Sequence, residues 1–149
     1  MADIRVKICG LRTAADLAAV AASGAAYAGF VFFAKSPRNL TIAEARALTL
    51  AAPPGLAKVA LVVNADDATL DAITEAMPLD MLQLHGAETP ERAAQLGTQF
   101  ALPVWKVISV AAQGDVEPAR LYSGAADLIL FDAKTPKGAA LTGGMGLSF

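Results

Sequence analysis

Short apolar runs alternate along the chain with longer alanine-rich stretches. The run "IRVKICG" (Ile4–Gly10) predicts a strand, and Thr13 with Asp16 predicts a capping box that opens a helix ending near Gly24. "YAGFVFF" (Tyr27–Phe33) predicts the second strand. After a loop, Thr41 and Glu44 form a T-x-x-E capping box for a helix that stops before Pro53 and Pro54. "AKVALVVN" (Ala57–Asn64) is a third strand, Asp66 or Asp67 can cap the next helix, and Pro78 closes it. "LDMLQLHG" (Leu79–Gly86) is the fourth strand, followed by Thr89 as N-cap and Pro90 at the first helical position. "PVWKVISV" (Pro103–Val110) is the fifth, a helix is expected over about Val116 to Ser123, and "ADLILFD" (Ala126–Asp132) is the sixth.

Six near-continuous apolar strands separated by helices indicate an α/β fold with a parallel sheet and helices on its outside. Two layouts compete, a doubly wound open sheet and a (β/α)8 barrel. No G-x-G-x-x-G follows the first strand, which weakens the dinucleotide-binding version of the open sheet. Polar or reactive residues stand instead at the ends of several strands, namely Cys9, Asn64, His85 and Asp132. That distribution suits a barrel, whose chemistry gathers at the C-terminal strand ends. A whole barrel needs eight strands and about 200 residues or more, so 149 residues suffice for one domain that is an incomplete barrel of about six parallel strands.

Composition narrows the chemistry. The chain is 55% hydrophobic and 17% charged, and no run of twenty apolar residues suggests a membrane span. Asp3, Arg5 and Lys7 interrupt what would have to be the apolar part of a signal peptide, so a cytoplasmic location is expected. Twelve basic against fourteen acidic residues argue against nucleic acid as a main partner. One cysteine and one histidine preclude an intrachain disulfide and make a structural zinc site implausible. A small anionic metabolite, held by one or two placed cations, fits this composition.

A lone cysteine is more often an inert core residue than a catalyst. Cys9, however, ends a strand beside Lys7 and Arg12, a setting that favours function. Asp132 is the single charge after the run "LILF", where a carboxylate serves either as a helix cap or as a general acid. His85 occupies the analogous place in "QLHG", and its surroundings in the sequence do not decide its role. Arg38, in the loop "FFAKSPRNL", is suited to a bidentate grip on a carboxylate; the alternative is a solvated loop charge. The glycine-rich stretch "KTPKGAALTGGMG" (Lys134–Gly146) reads as a lid, an anion cradle or a plain tail.

Taken together, "KICG", "GFVFFAKSPR", "QLHG", "FDAK" and "PKGAALTGGMGLSF" resemble the phosphoribosylanthranilate isomerase family of tryptophan biosynthesis, in order and over essentially the whole chain. The resemblance implies a barrel fold and an Amadori rearrangement of N-(5-phosphoribosyl)anthranilate to the 1-deoxyribulose phosphate, with no metal and no organic cofactor. It implies Asp132 as the general acid, Cys9 as the general base, Arg38 as the holder of the anthranilate carboxylate, and Gln83 and His85 as site lining. The small molecule expected as partner is a phosphosugar; neither nucleic acid nor a membrane is implied.

Two departures qualify the match. Met145 stands where the family places a small polar residue in a "GGTG"-like segment. The last two β/α units, with the helix N-termini and amides that would hold the substrate phosphate, have no counterpart in these residues. Weak substrate binding by this chain alone is therefore expected, as are two open sheet edges available for self-association or for a complementing segment. A non-catalytic barrel remnant is the reading from another class. Other phosphate-sugar barrel enzymes are less consistent with the joint presence of Cys9 and Asp132.

Overall fold

The computed structural model describes residues 4–134. Six strands, β1 (Lys7–Cys9), β2 (Tyr27–Phe32), β3 (Ala57–Val62), β4 (Met81–Leu84), β5 (Val104–Val110) and β6 (Leu128–Ala133), alternate with four helices, α1 (Ala14–Ala22), α2 (Ile42–Ala51), α3 (Asp67–Ala76) and α4 (Pro90–Phe100); a 3-10 helix (Gln113–Tyr122) precedes β6. Every neighbouring pair of strands is parallel and the strand order is sequential, β1 to β6. A doubly wound sheet would reverse its order partway. The sequential order is that of a barrel wound in one direction.

The curl of the sheet is visible in its side chains. The rings of Tyr27 on β2 and Trp105 on β5 meet edge-to-face with centroids 4.9 Å apart, although three strand spacings along a flat sheet amount to about 14 Å. The other face carries the core. Ala28, Phe30, Ala60, Val62, Leu82, Leu84 and Val104, alternate residues along their strands, pack in one cluster with Leu17, Val20, Leu48, Leu70, Ile73 and Leu96 of the helices. Leu82, Leu84, Phe30 and Leu70 are fully buried there.

The helix starts follow the sequence. Thr13 and Asp16 form a reciprocal capping box for α1, and Thr41 and Glu44 form one for α2. Asp66 accepts the Thr69 amide at 2.9 Å and Thr89 accepts the Arg92 amide at 3.2 Å; each such cap contributes about 1 kcal/mol. The segment before β6 differs from expectation. It is a 3-10 helix that starts earlier, at Gln113, because Pro118 lacks the amide that an α-helical ladder would need mid-segment. Strand β1 is also shorter than its apolar run, with only three paired residues.

Both sheet edges expose apolar side chains, as anticipated: Ile4, Val6 and Ile8 near β1, and Leu128 and Phe131 on β6. Among the described residues no helix is long and apolar enough to cross a membrane. Most of the glycine-rich stretch, and with it Met145, lies outside the described residues.

Candidate active site

All five residues singled out from the sequence, Cys9, Arg38, Gln83, His85 and Asp132, line one cleft of about 640 Å³ at the C-terminal ends of the strands. Lys7, Ser36, Ser109 and Lys134 also line it. Cys9 and Asp132 come from the two edge strands, so the curl of the sheet is what brings the ends of the chain around a common space.

Local backbone geometry explains the first wall. Gly10 takes a φ of +85°, and its amide and that of Leu11 both donate to the Gly29 carbonyl, at 2.9 and 3.1 Å. The chain thus turns sharply after Cys9. A Cβ at position 10 would overlap the Arg38 side chain, so glycine here also makes room for the guanidinium. Arg38 is placed by its own loop, its amide donating to Ser36 Oγ at 3.1 Å. Lys7 and Cys9, two apart on β1, share a face. Lys7 Nζ and Cys9 Sγ lie 2.8 and 3.0 Å from the point a Cβ on Gly29 would occupy, which a larger residue would deny them.

The opposite wall carries a contact between an imidazole and a carboxyl group. His85 Nε2 lies 3.3 Å from Asp132 Oδ2. Burial holds the imidazole below its ordinary pKa, and the positive charges of Lys106 and Lys7 act in the same sense; the charge and hydrogen bond of Asp132 oppose them. The Asp132 side chain is 41% exposed.

Gln83 is 4% exposed, and its Oε1 has no hydrogen-bond partner among the described residues. An orphaned buried acceptor costs about 1–3 kcal/mol. A ligand hydroxyl or amine entering the cleft would relieve that cost. Lys7, Arg38 and Lys134 outnumber the one carboxylate on the cleft wall, and none of the three forms a salt bridge among the described residues. The field therefore favours an anionic ligand.

Asn64 stands at a strand end but takes a different part. With a φ of 49° it turns the chain after β3, and its Oδ1 accepts the Ala87 amide at 2.8 Å. Gly86 is required beneath it, because a Cβ there would come within 2.5 Å of Asn64 Oδ1. Sequence reasoning missed the buried pair of Glu88 and Lys106, whose Oε2 and Nζ are 3.0 Å apart. The signal was available: Lys106 is a single cation inside the otherwise apolar strand "PVWKVISV", and a buried charge requires a partner.

Residues 6–149 match the family model described as N-(5'phosphoribosyl)anthranilate (PRA) isomerase. The N-(5'-phosphoribosyl)anthranilate isomerase of Cereibacter sphaeroides is 64% identical over all 149 residues, which span 70% of its length; that of Ruegeria sp. is 60% identical, with 69% of its length spanned. The crystal structure of phosphoribosyl anthranilate isomerase from Thermotoga maritima superposes with a TM-score of 0.83 at 32% identity, over 91% of this chain and 64% of that one. A further phosphoribosyl anthranilate isomerase, solved in complex with reduced 1-(o-carboxyphenylamino)-1-deoxyribulose 5-phosphate, superposes with a TM-score of 0.81 at 31% identity, over 88% of this chain and 66% of that one. The chain belongs to the N-(5'-phosphoribosyl)anthranilate isomerase family.

Proposed function

We propose that this chain carries the acid/base site for the Amadori rearrangement of N-(5-phosphoribosyl)anthranilate, an aldose-to-ketose isomerisation in tryptophan biosynthesis that takes place in the cytoplasm. The observation that carries the proposal is the convergence of Cys9 and Asp132, from the first and last strands, on one cleft that also holds Arg38, Gln83 and His85. Arg38 binds the anthranilate carboxylate. Asp132 donates a proton to the furanose ring oxygen; the ring C–O bond breaks and the nitrogen lone pair closes a protonated Schiff base. Cys9, as thiolate, then removes the C2 proton, whose acidity the iminium raises, and the electron pair left behind forms the enolamine. Tautomerisation gives the ketone. No net oxidation occurs, because the two carbons exchange oxidation level within one molecule. Gln83 Oε1 accepts from a sugar hydroxyl, and the His85 imidazole holds Asp132 in place through the 3.3 Å contact.

The solved family member with the reduced deoxyribulose phosphate supports a phosphosugar as the ligand class. The test is a fluorescence assay of the purified chain on phosphoribosylanthranilate made in situ, beside Cys9→Ser and Asp132→Asn. Turnover lost in either variant supports the assignment; turnover that survives both in a folded protein overturns it. Exposure of Ile8, Leu128 and Phe131 at the sheet edges favours a second reading, in which the chain folds around the cleft but turns over only when those edges are covered. Under it the parent is inactive alone and gains activity on self-association or with an edge-covering segment. Complementation of a tryptophan-requiring strain by the chain, lost with Cys9→Ala, separates the enzyme from an inactive remnant.

A further inference from the structure

The charge pair of Glu88 and Lys106 takes no part in the steps above, and it lies across the sheet from the cleft. Trp105, Val107 and Ser109 alternate along β5 on one face, with Val107 and Ser109 lining the cleft; Lys106 lies between them on the helix side, its Nζ 5.7 Å from the centroid of the Tyr122 ring. Lys106 is 2% exposed and Glu88 6%. Lys106 Nζ donates to the Gly86 carbonyl at 2.6 Å and to Glu88 Oε2 at 3.0 Å. The same carboxylate accepts the Gly86 amide at 2.9 Å through Oε2 and the Asn64 amide at 2.7 Å through Oε1. Above it the Tyr122 hydroxyl donates to the Glu88 carbonyl at 2.6 Å, and burial, with the charge of Glu88, pushes that phenol's pKa up so that it stays a donor.

These bonds converge on one place. Both the amide and the carbonyl of Gly86, the residue after His85, end on the pair, and the turns after β3 and β4 are joined through it to β5. A buried ion pair often adds little stability relative to an apolar pair of the same volume. It does select a single arrangement of the backbone groups it satisfies, since any other arrangement leaves a buried charge unpaired.

We propose that Glu88 and Lys106 are positioning residues for His85: they lock the turn after β4 so that its imidazole is held against Asp132 across the cleft. The catalytic consequence rests on the reading of Asp132 as the acid; the structural statement does not. The charged groups that bear on the imidazole are Asp132 from β6, Lys106 from β5 and Lys7 from β1. Of these, only Lys106 also bonds the turn that carries the ring.

The chain contains one histidine, so its ring nitrogens can be followed without ambiguity by 15N NMR of the full chain. The parent is expected to show one tautomer, fixed by the contact of Nε2 with the Asp132 carboxyl group. In Glu88→Gln/Lys106→Met, which removes both charges at similar volume, ring shifts averaged between tautomers and broadened amides over residues 85–88 are expected, with an unchanged far-ultraviolet circular dichroism spectrum. A folded double variant with parent-like ring shifts, or a parent that already averages, overturns the proposal. Should the double variant fail to fold, Tyr122→Phe carries the test: it removes one bond to the turn and should move the ring shifts in the same direction by less, and no movement overturns the proposal. An inactive parent would count against the isomerase reading while leaving this spectrum interpretable. In an active parent, the double variant should lose kcat several-fold with KM nearly unchanged.

Discussion

The middle of the sheet and its two edges are built differently. On β5 every residue but Ser109 is buried, whereas on β6 none is, and β1 is three residues long with none fully buried. Yet the proposed acid and base sit on the edges, Asp132 on β6 and Cys9 on β1, while the middle strands contribute Gln83, His85 and the pair beneath them. Stability and chemistry are therefore drawn from different strands. The middle supplies a rigid frame, and the reacting groups are mounted where packing is least and where covering the edges matters most.

The sharpest way to break this comparison is to exchange atoms on each region and read both stability and turnover. Cys9→Ser and Asp132→Asn should each reduce turnover by about 10²–10⁴-fold, the usual weight of a general acid or base, while shifting the urea midpoint little, since neither side chain is buried. Leucine truncations should do the reverse. Leu82→Ala on β4, where the side chain is fully buried, should cost about 2–5 kcal/mol in urea unfolding. Leu128→Ala on β6, 40% exposed, should cost less than about 1 kcal/mol. Equal losses at the two positions would mean that something covers the β6 edge in solution.

The same division explains what could be read in advance. The helix starts were legible because their signals are local: Thr13, Thr41, Asp66 and Thr89 each bond an amide three residues ahead. Three of the proposed site residues, Cys9, His85 and Asp132, drew notice because each follows an apolar run, whereas Arg38 stands in a loop and Gln83 lies inside β4. What the sequence could not display is long-range pairing. Glu88 meets Lys106 eighteen residues away and the Asn64 amide twenty-four residues away, and only the sheet register brings them together. Asn64 was grouped with the reactive strand ends for the same reason, although it turns the chain instead. The 3-10 helix was misread because a ten-residue polar segment with Pro118 carries a helical tendency but no α-helical ladder.

Capping gives a smaller effect that tests the frame alone. Thr41→Ala removes the acceptor for the Glu44 amide and the partner of its carboxylate at the start of α2. A loss of about 1 kcal/mol in urea unfolding is expected, with turnover unaffected, because α2 lies outside the cleft. A change in KM from this variant would show that the helix layer and the cleft are coupled more tightly than the contrast between middle and edges allows.

The smallest expected effect is a pH dependence that belongs to the seam between the two regions. Burial, reinforced by Lys106 and Lys7, holds the His85 pKa below its ordinary 6.5 despite Asp132. As pH falls through that ordinary value the unfolded chain takes up a proton that the folded chain refuses, so unfolding gains and stability declines. The contribution is full above 6.5 and is lost as pH falls through the folded value. The carboxylates Asp16, Glu44, Asp66 and Asp115 are held low mainly by hydrogen bonds from Thr13, Thr41, Thr69 and the Ala111 amide, and they lose stabilisation only below ordinary values of 3.8 to 4.5. Between those limits the single histidine stands apart. Urea midpoints of the parent should fall between about pH 7.5 and about pH 5.5, and those of His85→Gln should stay level. A parent that is also level would mean that the charge and hydrogen bond of Asp132 fully offset the burial of the imidazole, so that the contact joining the middle of the sheet to its edge is as strong as the burial that opposes it.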